Sequence, residues 1–221
     1  SPPDAKIALH KSLFPRAKAG EGDCASMAAD KYQNFAELIR HEREGVDFRI
    51  CRTIRPSPVA IIAPHGGKIE PGTSEIVSAI ARDRYSLYCF EGLKRDGNRR
   101  LHITSTNFDA PGCLDLLARC DVVVSVHGLG GDDKFVDVGG LDVNLRNAIC
   151  GSLSARFDAR VAETGRYAGV SPANICNRGR GGAGVQLEIT RALRDGLLAS
   201  SETMEAFADA VRQAIDGALE S

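Results

Sequence analysis

The stretch Val59-Ala60-Ile61-Ile62-Ala63-Pro64-His65-Gly66-Gly67-Lys68-Ile69-Glu70-Pro71-Gly72 decides the architecture. Its opening residues are a short, continuous apolar run without alternation, the pattern of a strand buried on both faces. Val122-Val123-Val124-Ser125-Val126 is a second such run, and it too gives way at once to a histidine and a glycine, His127-Gly128. Between and around these runs lie segments of helical period. Thr73 is placed to cap a helix with Ile76, Val77 and Ile80 on one face. Cys113 to Cys120 reads as a short helix and Leu141 to Phe157 as a longer one. Ser201 is placed to cap a last helix striped by Phe207, Val211, Ile215 and Leu219. Tyr85 to Phe90, Leu101 to Thr106 and Gly184 to Ile189 read as further strands, and Val46 to Cys51 alternates like one. Asn34-Phe35-Ala36-Glu37 has the form of a capping box opening a helix that Gly45 ends. Buried strands alternating with helices predict an α/β fold, a single domain with a mixed, mostly parallel sheet covered by helices on both faces. Residues 1–30, weakly patterned and rich in Ala, Lys, Gly and Pro, read as an arm or extra loop, and residues 31–221 as the domain.

In such a fold ligands gather outside the carboxyl ends of the strands. His65 and His127 both stand there, directly after the two most apolar strands. With Glu70 they make two imidazoles and a carboxylate, the ligand set of a hydrolytic zinc ion that keeps an open position. A histidine after a strand is ordinarily a satisfied polar residue, and no compact motif such as His-Glu-x-x-His joins these three. His41-Glu42-Arg43-Glu44-Gly45 begins like that motif but carries Gly45 where the second histidine belongs. Glu188, inside Val185-Gln186-Leu187-Glu188-Ile189, is a carboxylate in an apolar strand. It answers either to a buried salt bridge with a loop arginine or to a general base beside zinc-activated water.

Composition narrows the classes. The chain has 221 residues with 43% apolar and 26% charged, enough for a core and too hydrophobic for disorder. A formal net charge of -1 lacks the basic surplus of a general nucleic-acid binder. No run approaches the length needed to cross a membrane. The 7 cysteines, odd in number and without a Cys-x-x-Cys pair, read as buried hydrophobes in a reducing compartment. Gly179-Arg180-Gly181-Gly182-Ala183-Gly184 matches the dinucleotide pattern in letters only, since it follows a loop and opens a strand. With no signal core near Ser1, the chain reads as cytoplasmic or released by lysis, unless a signal precedes residue 1.

Longer motifs add a resemblance. Ile61-Ile62-Ala63-Pro64-His65-Gly66-Gly67, Ile69-Glu70-Pro71-Gly72-Thr73-Ser74-Glu75, Phe90-Glu91-Gly92-Leu93-Lys94, Leu101-His102-Ile103-Thr104-Ser105-Thr106-Asn107-Phe108-Asp109, Val126-His127-Gly128, Asn174-Ile175-Cys176-Asn177-Arg178 and Gly184-Val185-Gln186-Leu187-Glu188 occur in this order. Together they resemble the phage-type poly-gamma-glutamate hydrolase family, from about Tyr32 to about Arg194. The resemblance implies a compact, zinc carboxypeptidase-like fold, Zn2+ on His65, Glu70 and His127, Glu188 as general base, and a gamma-linked polyglutamate substrate. Lys68 departs from the family loop, where a third glycine is expected, and could hold a substrate carboxylate. Arg146 and Arg178 are the candidates for gripping substrate or oxyanion, because the guanidinium fork matches a carboxylate. Lys94, Arg95, Arg99 and Arg100 form a basic cluster that suits a polyanion or a solvated turn equally. Two other readings remain open at this point. One is a zinc amidohydrolase of another acyl-amino acid or peptide. The other is a non-enzymatic, phage-related polyanion-binding protein.

Overall fold

A computed structural model describes residues 29–220, so His10, Cys24 and nearly all of the expected arm lie outside the described residues. The strands are β1 (Phe48–Thr53), β2 (Val59–Gly67), β3 (Ser86–Gly92), β4 (Val122–Leu129), β5 (Phe135–Gly139), β6 (Asp158–Val161) and β7 (Val185–Thr190). They form one sheet in the order β1-β3-β2-β4-β7-β5-β6. Its centre, β3-β2-β4-β7, is parallel, β1 and β5 join it antiparallel, and β6 lies parallel to β5. The helices are α1 (Phe35–Leu38), α2 (Thr73–Ala81), α3 (Pro111–Leu117), α4 (Val143–Ser154), α5 (Arg191–Ala199) and α6 (Ser201–Leu219).

The parallel strands carry no polar face because both faces are covered. Ile61, Val124, Leu187 and Ile189 pack on one side against Ile76 and Ile80 of α2, Ile149 of α4 and Phe207 and Val211 of α6. On the other side Ile62, Tyr88 and Val123 meet Leu38 of α1, Leu116 of α3, and Phe108. Ile61 and Ile62 are adjacent in sequence and point to opposite cores, as the pleat requires. The expected α/β domain is therefore present, with helices on both faces.

Local expectations fared unevenly. Asn34 caps α1 through Glu37 N at 2.8 Å, but the helix ends at Leu38 rather than near Gly45. Single hydrogen-bonded turns continue to Glu42, whose amide donates to Leu38 O at 3.0 Å and whose carboxylate accepts from Tyr32 Oη at 2.6 Å. Leu101 to Thr106 is no strand. A 3-10 turn, Asn98–Leu101, precedes it, and its backbone is spent on the site: Ile103 O takes His65, and Ser105 O takes Ile175 N at 2.9 Å. Thr73 does not cap α2, whose N-cap is Gly72. Its hydroxyl donates to Glu70 O at 2.9 Å and His65 O at 3.3 Å, fastening the loop that joins them. Strands β5 and β6 and helix α5 had no counterpart in the sequence reading. The 6 described cysteines are free and mostly buried, which suits the hydrophobe reading. Among the described residues no helix is long and apolar enough to cross a membrane.

Candidate metal centre

β2 and β4 end side by side, so the residues just inside their carboxyl ends share one corner of the sheet. His65 and His127 are 1% and 2% exposed, and their Nδ1 atoms stand 3.2 Å apart. Glu70 returns from the β2–α2 loop and brings Oε1 to 3.3 Å from His65 Nδ1. The three donor atoms lie within 4.8 Å of one another. Each residue is held from behind. His65 Nε2 donates to Ile103 O at 2.7 Å, His127 Nε2 meets Ser125 Oγ at 2.6 Å, and Gly128 N donates to Glu70 Oε2 at 2.8 Å. With Nε2 of each ring engaged, both Nδ1 lone pairs turn to the same point as the carboxylate. Tetrahedral zinc with bonds of about 2.0–2.1 Å needs donors about 3.3 Å apart. The donor types and the two closest spacings fit such an ion.

The electrostatics ask for a cation. Burial disfavours a charged His65, yet Glu70 outweighs it and raises the His65 pKa. Burial, and next the charge on His65, push His127 down to about 3. Burial would raise Glu70, but His65 and the Gly128 amide bring it to about 2. The Glu70 carboxylate thus favours positive charge among these donors.

Glu188 stands beside His127 in the β4–β7 register. Gln186 Nε2 donates to Glu188 Oε1 at 3.0 Å, and Asn174 Nδ2 donates to Gln186 Oε1 at 2.9 Å. Among the described residues no salt bridge accounts for Glu188. Burial first, then Glu70 and Asp137, raise its pKa well above the usual carboxylate value. Glu188 and the three donors line a cleft of about 260 Å³, open to solvent between Thr104–Thr106 on one wall and Arg166 and Tyr167 on another. His102, expected inside a strand, lines it too. Its ring stacks on His65 at 4.0 Å, its Nδ1 is bound to Asp30 at 2.7 Å, and burial first, then the charge on His65, lower its pKa to about 4.

The cations expected to grip substrate lie elsewhere. Arg146 is buried on α4 and pairs with Glu163 at 3.1 Å. Lys68 is exposed and donates to Lys94 O at 3.2 Å. Arg178 is exposed and absent from the cleft lining, because its motif turns Asn174 and Asn177 inward instead. Asn177 accepts from Gly184 N and donates to Gly169 O, tying the long loop closed. The basic cluster is largely structural: Lys94 and Arg100 pair with Glu42, and Arg99 lies near Asp30. Sequence reasoning passed over Arg166, the one arginine or lysine among the described residues that lines the cleft. It sits in a polar loop with no periodic signal to mark it.

Known proteins resemble this chain over most of its length. The prophage-derived protein YoqZ of Bacillus subtilis strain 168 is 44% identical over 170 residues, which is 76% of this chain and 61% of that protein. The solved structure of a bacteriophage poly-gamma-glutamate hydrolase superposes with a TM-score of 0.81 at 36% identity, covering 86% of this chain and 99% of that one. A zinc-free structure of YndL gives 0.80 at 36% identity over 86% and 98% of the two chains. The sequence profile of poly-gamma-glutamate hydrolases matches residues 32–212, and the chain belongs to that family.

Proposed function

We propose that the chain hydrolyses gamma-glutamyl amide bonds of poly-gamma-glutamate, with a zinc ion held by His65 Nδ1, Glu70 and His127 Nδ1 and with Glu188 as general base. The observation that carries this is the convergence of three donors, each fixed from behind, in a cleft whose remaining carboxylate is buried and, among the described residues, held by Gln186 without a salt bridge. The family, and a relative solved in a zinc-free form, support the choice of metal and substrate. Zinc, when bound, supplies Lewis-acid chemistry, making water acidic near neutrality and polarising the scissile carbonyl.

The chain's own residues do the rest. Gln186 holds Glu188 Oε1, and Oε2 is left to take a proton from the attacking water and return it to the departing amine. The buried floor keeps bulk water from competing for that carboxylate. Ser105 and Thr106 offer hydroxyls and amides to the polymer backbone, while Thr104 spends both its amide and its hydroxyl on Asp30. Arg166 offers its guanidinium to a free substrate carboxylate, since it lines the cleft, where it lies over the Tyr167 ring at 5.7 Å and forms no salt bridge among the described residues.

The test is metal analysis of purified protein followed by incubation with polyglutamate. One zinc per chain, lost in a His65→Ala, His127→Ala double variant together with hydrolysis, is the expected result. Stoichiometric zinc in that variant, or wild-type protein inert on polyglutamate but active on a neutral acyl-amino acid, would refute it.

A further inference from the structure

One buried cation of this corner has no part in the roles above. Arg194 is 3% exposed and lies one turn into α5, which begins directly after β7. A helical side chain leans toward its helix N-terminus, so this guanidinium reaches back beneath the strand ends. Its hydrogen bonds all go to backbone carbonyls: Nε to Pro71 O at 2.8 Å, and Nη1 to Ile189 O at 2.7 Å and Leu129 O at 3.2 Å. Pro71 follows Glu70, Ile189 follows Glu188, and Leu129 is two residues beyond His127. One planar group thus joins the three segments that carry the site.

Gly128 closes the arrangement from the other side. Its amide holds Glu70 Oε2, and any Cβ there would collide with Arg194 Nη1 and Cζ. A side chain at the position after His127 would therefore displace the guanidinium, and glycine leaves room for it. Burial disfavours the charged guanidinium, while nearby Glu70 and Glu188 favour it. Only arginine presents several N–H groups in a fixed plane, so a lysine at this place could not reach all three carbonyls in the same geometry.

We propose that Arg194 is a positioning residue of the metal centre, whose guanidinium clamps the segments bearing Glu70, His127 and Glu188 and so sets the spacing of the donors. The proposal rests on the zinc reading of His65, Glu70 and His127. Changes behind metal ligands typically weaken metal binding by about 10–100-fold.

The experiment strips wild type, Arg194→Lys, Arg194→Gln, Gly128→Ala and a remote control, Arg212→Lys, with chelator. Zinc affinity is then measured by competition with a chromophoric chelator, and absorption spectra are recorded after cobalt loading. Arg212 is an equally buried arginine, on α6, that donates to Ala79 O and pairs with Glu205 and Asp209. Both Arg194 variants and Gly128→Ala are expected to bind zinc roughly 10–100-fold more weakly and to shift the cobalt bands. Added to Arg194→Gln, Gly128→Ala should cost little more, because the group it displaces is gone. Arg212→Lys should lower thermal stability and leave zinc affinity and spectrum unchanged. Wild-type affinity and spectra in the Arg194 variants and Gly128→Ala, or an equal loss in Arg212→Lys, would overturn the clamp. If the Arg194 variants do not fold, Gly128→Ala, which keeps the guanidinium and only displaces it, decides by the same two readouts. Wild type that binds no zinc would overturn the zinc reading itself, whereas wild type that binds while the variants match it overturns the clamp alone.

Discussion

Glu188 is where stability and chemistry oppose each other. Burial, Glu70 and Asp137, its register neighbour on β5, all raise its pKa. A carboxyl whose folded pKa exceeds its unfolded value stabilises the fold at low pH, and that contribution is lost as pH rises through the unfolded and then the folded pKa. At neutral pH, where the unfolded carboxyl is ionised, its burial therefore costs the metal-free protein stability. Glu188→Gln should raise the melting temperature of stripped protein at neutral pH, with the gain shrinking toward pH 4. The same variant should lose roughly two to four orders of magnitude in turnover, the range of general acid–base groups, while keeping its metal. Near-normal turnover would move the base elsewhere.

At the scale of elements, the loop between β6 and β7 builds one wall of the cleft. It is closed on itself by Asn177 and brings Arg166 and Tyr167 to the rim. Arg166→Ala should lower kcat/KM on polyglutamate roughly tenfold, mostly through KM, as for an exposed interfacial charge. The salt dependence of the rate should flatten as well, because an exposed cation acts within a screening length of about 10 Å at 0.1 M salt. An unchanged KM and an unchanged salt response would show that Arg166 does not read substrate charge. Helix α5 belongs to this scale too. It follows β7 without a loop, which is why neither its start nor Arg194 drew notice in a sequence read for apolar periodicity.

For the molecule as a whole, ligand and proton both report on folding. Zinc at a free concentration about 100 times its dissociation constant should stabilise by about 2.7 kcal/mol. Chelation should then lower the melting temperature by roughly 5–10 °C for a chain of this size; no shift would argue against a bound metal. Acid stability should depend on Glu42, buried between Tyr32, Lys31, Lys94 and Arg100. Burial works to raise its pKa, but Lys94 and Tyr32 prevail and hold it below the ordinary value. A lowered folded pKa means stability that is present above the unfolded value and lost as pH falls through the folded one. Glu42→Gln should therefore destabilise at neutral pH and shed part of the acid-induced loss below about pH 4.3, the unperturbed Glu value. A wild-type acid profile in that variant would refute the pairing.

The sequence alone determined the layer order and the centre of the site. Ile61 and Val124 lie in runs too apolar to leave water on either side, so a two-faced sheet was legible from them. A polar residue just inside the end of such a run must turn toward the ligand edge, which made His65 and His127 visible, and Glu188 stood out as a carboxylate inside an apolar strand. Tertiary structure alone decided the partners of those residues. Ile103 O and Ser125 Oγ orient the rings, Arg166 rather than Arg178 faces the cleft, and Arg194 reaches three carbonyls from three separate segments. β5 and β6 are short strands at one side of the sheet, and their pairing was settled only once β7 stood beside β5. The physical reason is range. Burial is written in each residue's own apolarity, whereas hydrogen bonds and charge pairs depend on which distant segments the folded chain brings within about 3 Å.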